Sequence, residues 1–245
     1  MSALRRLYER AVAGPDYAPD ERDLADVRLL GLAVPRRASV AILATTALIV
    51  VDQLRWSIGA DLLAARTGLD GVAVQRFLLF LVVPLAIVLL AFRDDPGRYG
   101  LRVGDWRAGL PLLIAGLAVM TPIILGLATL PQFQGYYGAG DTMAEPLSRV
   151  LANNLAELVP AEFLLRGFLM FTLWRRIGPL ALVVQIVPFV LTHLGKPDIE
   201  LWSTFIGGSI FAWLDWRTGS IVWSALGHVF VLTLMVVAVG GATPS

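Results

Sequence analysis

Two ionisable residues lie one helical turn apart inside an otherwise apolar stretch, PAEFLLRGF at positions 160–168. Glu162 and Arg166 are four positions apart, so a helix places them on one face, where they can pair. A charged side chain near the centre of a bilayer costs about 2.5–3.5 kcal/mol, and such residues usually face a partner or a cavity. The pair therefore indicates either an ion pair that joins helices or a buried carboxylate available for proton transfer.

Both histidines of the chain, His193 and His228, also lie in apolar segments. Imidazole is the side chain best suited to proton transfer or metal ligation near neutral pH. Counted along helices at about 1.5 Å per residue, the two histidines fall in the same layer of a membrane as Glu162. Glu200 follows the polar turn after His193 and is a candidate second carboxylate.

The composition predicts that these residues lie in a membrane protein. Of 245 residues, 57% are hydrophobic and 16% are charged, and the mean hydropathy is +0.71, which is far from the soluble norm. The absence of cysteine excludes disulfides, thiol catalysis and thiolate metal sites. The basic residues are spread over separate loops, so we expect membrane lipid and not nucleic acid as a partner.

The predicted fold is an all-α, polytopic transmembrane helical bundle. A spanning helix needs roughly 20 apolar residues, and about seven segments of the sequence meet this requirement. Because Asp52 and Arg55 interrupt the first segment, six to eight spans are compatible with the sequence. The segments are 38–58, 76–93, 107–130, 147–174, 178–195, 199–216 and 219–240. Residues 1–35 form a polar lead-in without a signal-peptide core, and residues 36–245 form one membrane domain.

The distribution of basic residues predicts the orientation. Arginines are concentrated in the lead-in and in the loops after the second, fourth and sixth segments. Cytoplasmic loops carry the excess of lysine and arginine. We therefore expect the N-terminus to be cytoplasmic.

Three short motifs, which contain Glu162 with Arg166, then His193, then His228, resemble in type and order those of the CPBP family of intramembrane proteases. This family includes the type II CAAX prenyl endopeptidases and the bacterial Abi and bacteriocin-immunity proteins. The family pattern is Glu-Glu-x-x-x-Arg, then Phe-x-x-x-His, then His-x-x-x-Asn, on separate transmembrane helices. The chain has AEFLLR at 161–166, FVLTH at 189–193 and HVFVL at 228–232. The resemblance covers roughly residues 146–240 and implies a protease-like core there, in a bacterial inner membrane.

Two positions depart from the family pattern. Ala161 replaces the first glutamate, often assigned to water activation, and Leu232 replaces the amide thought to hold the oxyanion. Some bacterial members keep a single glutamate four residues before the arginine and carry a His-x-Gly-Lys-Pro-x-x-Glu stretch, as this chain does from His193 to Glu200. The chain is therefore either a divergent active subgroup or an inactive copy.

The resemblance implies hydrolysis of a peptide bond in a membrane-associated substrate, prenylated or not. Glu162 would accept a proton from water, His193 would orient that water, His228 would stabilise the oxyanion, and Glu200 would supply the second carboxylate. Zinc is compatible with these residue types, but no His-Glu-x-x-His helix supports it, so we expect no cofactor. The rival hypotheses are a non-catalytic scaffold or immunity protein and, less favoured, a small proton-coupled transporter, which would need repeated halves.

Overall fold

The structure is a computed structural model that describes residues 13–54, 60–138, 145–240 and 242–243. Its architecture is all-α with two very short sheets, which confirms the predicted class. Arg55, which interrupts the first predicted segment, and the first twelve residues of the lead-in lie outside the described residues.

Helices lie at each of the seven predicted positions. They are α2 (Arg36–Gln53), α4 (Gly71–Phe92), α5 (Trp106–Leu127), α7 (Leu147–Glu162, Phe163–Met170 and Phe171–Ile177 in succession), α8 (Leu180–Leu191), α9 (Asp198–Thr218) and α10 (Val222–Ala238). Among the described residues, three shorter α-helices accompany them, α1 (Glu21–Leu24), α3 (Ala60–Thr67) and α6 (Pro131–Tyr137), together with a 3₁₀ helix, Pro96–Tyr99. The strands are β1 (Asp26–Leu29), β2 (Leu32–Pro35), β3 (Glu145–Pro146) and β4 (Ala242–Thr243).

Within the described residues, α4 and α5 are the two helices that are long and apolar enough to cross a membrane by length and composition. α10 has only 17 residues, and the 21 residues of α9 include Asp198, Glu200, Asp215 and Arg217. The predicted number of seven membrane spans is therefore not confirmed and stays a prediction.

The lead-in has more structure than its polar sequence suggests. Asp20 caps α1 by accepting from the Asp23 amide, and the Asp23 side chain accepts from the Asp20 amide in return, a reciprocal capping box. β1 and β2 then pair as an antiparallel hairpin, with Asp26 opposite Pro35. The chain passes from this hairpin directly into α2 at Arg36.

Ion pairs attach the lead-in to the helical body. The Arg37 side chain is 1% exposed and donates to Asp23 at 2.5 Å, to Asp94 at 3.0 Å and to the Phe92 carbonyl at 2.9 Å. Arg98 donates to Asp20 at 2.8 Å, to Asp94 at 2.7 Å and to Asp23 at 2.7 Å. The network therefore joins α1 to the start of α2 and the end of α4.

α7 occupies the centre of the molecule. Every residue of its middle part, Phe163–Met170, is buried, and these eight residues form wide π-helical turns. Apart from Arg166, this part of α7 is apolar or glycine around its whole circumference, as expected for a helix in the interior. Gly167 lets the chain after α4 approach, because a Cβ at this position would lie 2.7 Å from the Tyr99 carbonyl oxygen.

Candidate active site

The three polar motifs meet where α7, α8 and α10 come together. Glu162 and Arg166 are both fully buried, and the Arg166 guanidinium donates to the Glu162 Oε1 at 2.8 Å. The four-residue spacing on α7 produces this pair, as the sequence predicts. In a buried pair of this kind, the mutual attraction of the charges offsets the cost of removing them from water. Its net contribution to stability therefore depends on what else the two groups contact.

His228 of α10 is the second partner of Glu162. Its Nδ1 lies 2.7 Å from Oε1, and 14% of the side chain is exposed. An ionised carboxylate only accepts hydrogen bonds, so Nδ1 carries the proton in this contact. In a neutral imidazole, Nε2 is then free to accept a proton.

His193 at the end of α8 has the same tautomer for a different reason. Its Nδ1 lies 2.8 Å from the Phe189 carbonyl oxygen, which can only accept. The two imidazole rings lie 6.5 Å apart between centroids and are nearly parallel, at 14°. Each ring is therefore held by a hydrogen bond from its Nδ1, and both rings can present an unprotonated Nε2.

Phe189 packs these groups together. Its ring lies 4.1 Å from the Arg166 guanidinium carbon and 4.5 Å from the His193 ring. The ring face attracts the cation and keeps it away from water. The Phe-x-x-x-His motif therefore supplies both an imidazole and the aromatic cover of the ion pair.

A cavity of about 390 Å³ opens beside the two histidines. His193, His228 and Thr192 line it, and so do Ala161 and Leu232, the two positions that depart from the family pattern. Glu162 lies behind His228 and is not among the lining residues. Water entering the cavity therefore meets imidazole before carboxylate.

Glu200, in the first turn of α9, contacts α6 and the turn that precedes α9. It accepts from the Tyr137 hydroxyl at 2.7 Å and from Lys196 Nζ at 2.7 Å. Burial, and then the Glu200 charge, raise the pKa of Tyr137 well above its ordinary value. The contacts of Glu200 are thus with Lys196 and Tyr137 at the cavity wall, and not with the carboxylate it was expected to support.

A second ion cluster, not anticipated from the sequence, lies at the same cavity, which Arg76 and Glu157 line. Arg76 of α4 pairs with Asp52 at 3.1 Å and with Glu157 of α7. Asp52 also accepts from the Gln75 amide at 3.3 Å. The carboxylate that interrupts the first predicted segment is therefore paired beside the cavity, at the end of α2.

Asp215 of α9 is the residue that sequence reasoning missed. It is fully buried and accepts a hydrogen bond from Ser224 of α10 at 2.7 Å. Its carboxylate interacts electrostatically with both Glu162 and Arg166. The signal was present, because Asp215 is an acid near the end of the predicted segment 199–216.

The ligand set does not fit a metal ion. Among the described residues, no three or more histidine, aspartate or glutamate side chains are grouped so that they could hold one. His228 Nδ1 is engaged by Glu162, and His193 Nδ1 by a backbone carbonyl. We therefore derive no step through a metal.

Comparison with known proteins agrees with the motifs. Residues 143–234 match the family model described as type II CAAX prenyl endopeptidase Rce1-like, which confirms the resemblance over this part of the chain. No curated protein and no solved structure matches. The matched family is a membrane-embedded family of peptidases, and the apolar helices α4 and α5 fit that character.

Proposed function

We propose that the protein is an intramembrane endopeptidase that hydrolyses a peptide bond in a membrane-associated protein or peptide, prenylated or not. One observation carries the proposal: two imidazoles line a cavity, and the buried Glu162–Arg166 pair supports one of them from behind. A histidine oriented by a carboxylate is a recurrent arrangement for activating a nucleophile. A bacterial inner membrane with the N-terminus in the cytoplasm is part of the proposal.

The contacts favour a different distribution of roles from the one expected from sequence. Because Glu162 is fully buried behind His228, we assign proton acceptance to His228 Nε2. Glu162 holds the tautomer and stabilises the imidazolium that forms. The Arg166 guanidinium pairs with Glu162. His193, whose Nε2 carries no proton in the tautomer set by the Phe189 carbonyl, accepts a hydrogen bond from the water and orients it.

The reaction then follows in two steps. Water loses a proton to His228 Nε2 while its oxygen attacks the scissile carbonyl carbon, giving a tetrahedral oxyanion. The carbonyl re-forms as the carbon–nitrogen bond breaks, and His228 returns the proton to the leaving nitrogen. A carboxylic acid and an amine are released and the site regains its starting protonation, after which the acid loses its proton to water.

A second candidate is a non-catalytic scaffold or immunity protein. Ala161 and Leu232 line the cavity beside His193 and His228, so apolar side chains occupy the wall where the family pattern has a glutamate and an asparagine. This observation favours a site that retains a binding cavity without the full catalytic set.

Cleavage in lipid vesicles distinguishes the two functions. We would present quenched prenylated and unprenylated peptides to the parent, His193→Ala, His228→Ala and Glu162→Gln, with and without a chelator. Asp198→Asn is the control, because Asp198 is exposed in the same turn region. If the protein is a protease, His193→Ala, His228→Ala and Glu162→Gln lose cleavage and Asp198→Asn retains it. Cleavage that persists in His228→Ala would contradict the proposed mechanism.

A further inference from the structure

Asp215 is a buried acid for which the proposed mechanism has no use. Its side chain is fully buried, and Ser224 Oγ donates to its Oδ2 at 2.7 Å. The other oxygen, Oδ1, is buried with no hydrogen-bond partner among the described residues. A buried carboxylate oxygen without a hydrogen bond lowers the stability of the folded protein. We therefore expect Asp215 to have a role beyond packing in this helix.

The surroundings of Asp215 belong to the candidate site. Its carboxylate interacts electrostatically with Glu162 and Arg166 of α7. Ser224, which donates to Asp215, lies one turn before His228 on α10, and His228 donates to Glu162. Glu162 Oε2 and the Arg166 Nε and Nη2 are likewise buried and unpartnered among the described residues. Two carboxylates and one guanidinium therefore share a single buried region, and α10 contacts Asp215 through Ser224 and Glu162 through His228.

Other titratable groups near Asp215 do not change this charge count. Tyr17 of the lead-in interacts with it, but burial raises the pKa of that phenol, which stays neutral. Arg217, on the same helix, pairs with Asp105 at 2.9 Å. His228 donates to Glu162 at 2.7 Å.

A buried region that holds two carboxylates and one guanidinium carries excess negative charge unless one acid is protonated. Two coupled acids titrate as a pair, and because Arg166 and His228 both donate to Glu162, the proton of this pair lies on the Asp215 side. Neutrality is reached when the pair holds one proton opposite Arg166.

We propose that Asp215 is the second carboxylate of the site: it forms with Glu162 a pair that holds one proton, and through Ser224 it positions α10 one turn before His228, so that His228 meets Glu162. Asp215 is a positioning residue, since it touches neither the cavity nor the reacting atoms. It supplies from α9 the carboxylate that Ala161 does not supply from α7. Its effect on turnover rests on the proposed function, whereas the protonated pair is independent of it.

Infrared spectroscopy of the protein in vesicles tests the pair directly. At neutral pH, the parent minus Asp215→Asn difference should contain a protonated-carboxyl band, while Asp26→Asn, which removes the carboxylate of an exposed ion pair with Arg176, should show none. Asparagine keeps the shape of the side chain and an acceptor for Ser224. A difference spectrum without the band would overturn the proposal, whether or not the protein cleaves peptides.

The pH dependence of cleavage tests the positioning role. At alkaline pH the pair loses its proton and a second negative charge appears beside Glu162, so cleavage by the parent should fall. In Asp215→Asn that fall should move up by at least about one pH unit, and Asp26→Asn should follow the parent. Ser224→Ala should lower kcat about tenfold with KM within about twofold, as expected for loss of a group that orients a catalytic one.

The outcomes separate the two proposals. A parent that shows the carboxyl band but no cleavage would reject the peptidase and leave the pair in place. Cleavage with superimposable pH profiles for the parent and Asp215→Asn would overturn the positioning role. Cleavage with the band and the shifted profile would support both.

Discussion

At the residue scale, Glu162 and Arg166 depend on each other because neither has access to water. Removing one partner of a buried pair leaves an uncompensated charge and costs about 3–5 kcal/mol. We therefore expect Arg166→Leu to lower the free energy of unfolding by about that amount. The double variant Glu162→Gln/Arg166→Leu should be clearly more stable than Arg166→Leu alone, as measured by denaturant unfolding in detergent micelles.

An exposed pair provides the control for this prediction. Arg149 and Asp70 lie 3.1 Å apart, with 45% and 49% of their side chains exposed. Exposed pairs are worth about 0–1 kcal/mol, so Arg149→Leu should change stability little. Equal losses in Arg149→Leu and Arg166→Leu would show that burial of the Glu162–Arg166 pair is not the cause.

Ala161 offers a gain-of-function test at the same scale. It lines the cavity beside His193 and His228, where about 390 Å³ is open. A glutamate at this position can enter the cavity and act as a general base, a role that typically contributes 10²- to 10⁴-fold. We expect Ala161→Glu to raise the rate of peptide cleavage by about 10²-fold or more. Ala161→Gln has the same shape without a base and should not, so an equal gain in both variants would refute the reasoning.

Some site residues could be predicted from sequence and others could not, for a physical reason. Glu162, Arg166 and both histidines are conspicuous because polar side chains are rare in apolar helices. Asp215 has the same signal, but its relation to Glu162 depends on how α9 packs against α10. Glu200 was a candidate second carboxylate because it closely follows His193 in sequence, whereas its i,i+4 spacing from Lys196 matches the ion pair that forms.

At the element scale, α8 and α9 are held together by contact between a ring and a glycine. A Cβ at Gly208 would lie 2.7 Å from Phe189 Cδ1, whereas a Cβ at Gly207 would meet nothing within 4 Å. Phe189 in turn covers Arg166 and His193. The position of α9 is thereby linked to the geometry of the site.

Alanine at the two glycines should have opposite effects. Gly207→Ala should be neutral or stabilise by up to about 1 kcal/mol, because alanine is the better helix former. Gly208→Ala should cost about 1–3 kcal/mol through overpacking and should lower cleavage as Phe189 shifts. Thermal unfolding and peptide cleavage measured on both variants test this, and a Gly208→Ala protein as stable and active as Gly207→Ala would contradict it.

The positions of the long helices can be predicted from apolar runs in the sequence, but the positions of the shorter elements cannot. The seven predicted segments each correspond to a helix because burial or lipid demands a long apolar stretch. The hairpin β1–β2 and the helices α3 and α6 are too short to produce such a signal. Their form is set by local capping, turns and contacts with the larger helices.

At the scale of the whole molecule, the apolar surface is divided between a buried centre and an exposed exterior. The middle of α7 is entirely buried, whereas only 6% of an 18-residue apolar stretch of α5 is buried. An exposed apolar face of this size is expected to meet lipid or a partner. The site therefore lies in the interior of the bundle, and the cavity lined by His193 and His228 opens beside it.

The lead-in is attached to this body by charge, which makes its attachment sensitive to acid. Burial alone would raise the pKa of Asp94, but hydrogen bonds from Arg98 and the Asp95 amide, with the charges of Arg98 and Arg37, hold it below the ordinary value of 3.8. The pKa of Asp20 is lowered in the same way: hydrogen bonds from Arg22, Asp23 and Arg98 outweigh burial. A lowered folded-state pKa contributes stability above the ordinary value and loses it as pH falls through the folded value.

We therefore expect the lead-in to remain docked from neutral pH down to about pH 4 and to detach below it. Proteolysis with an acid-active protease should then cut within residues 13–35 while the helical body stays intact. Asp94→Asn should allow cutting at higher pH than the parent, because Arg37 and Arg98 lose a shared partner. Asp198→Asn, whose exposed side chain lies at the start of α9, should match the parent. Equal cutting of the parent at pH 7 and pH 3 would show that apolar contacts, such as Tyr17 against Phe171 and Trp174, hold the lead-in without help from the ion pairs.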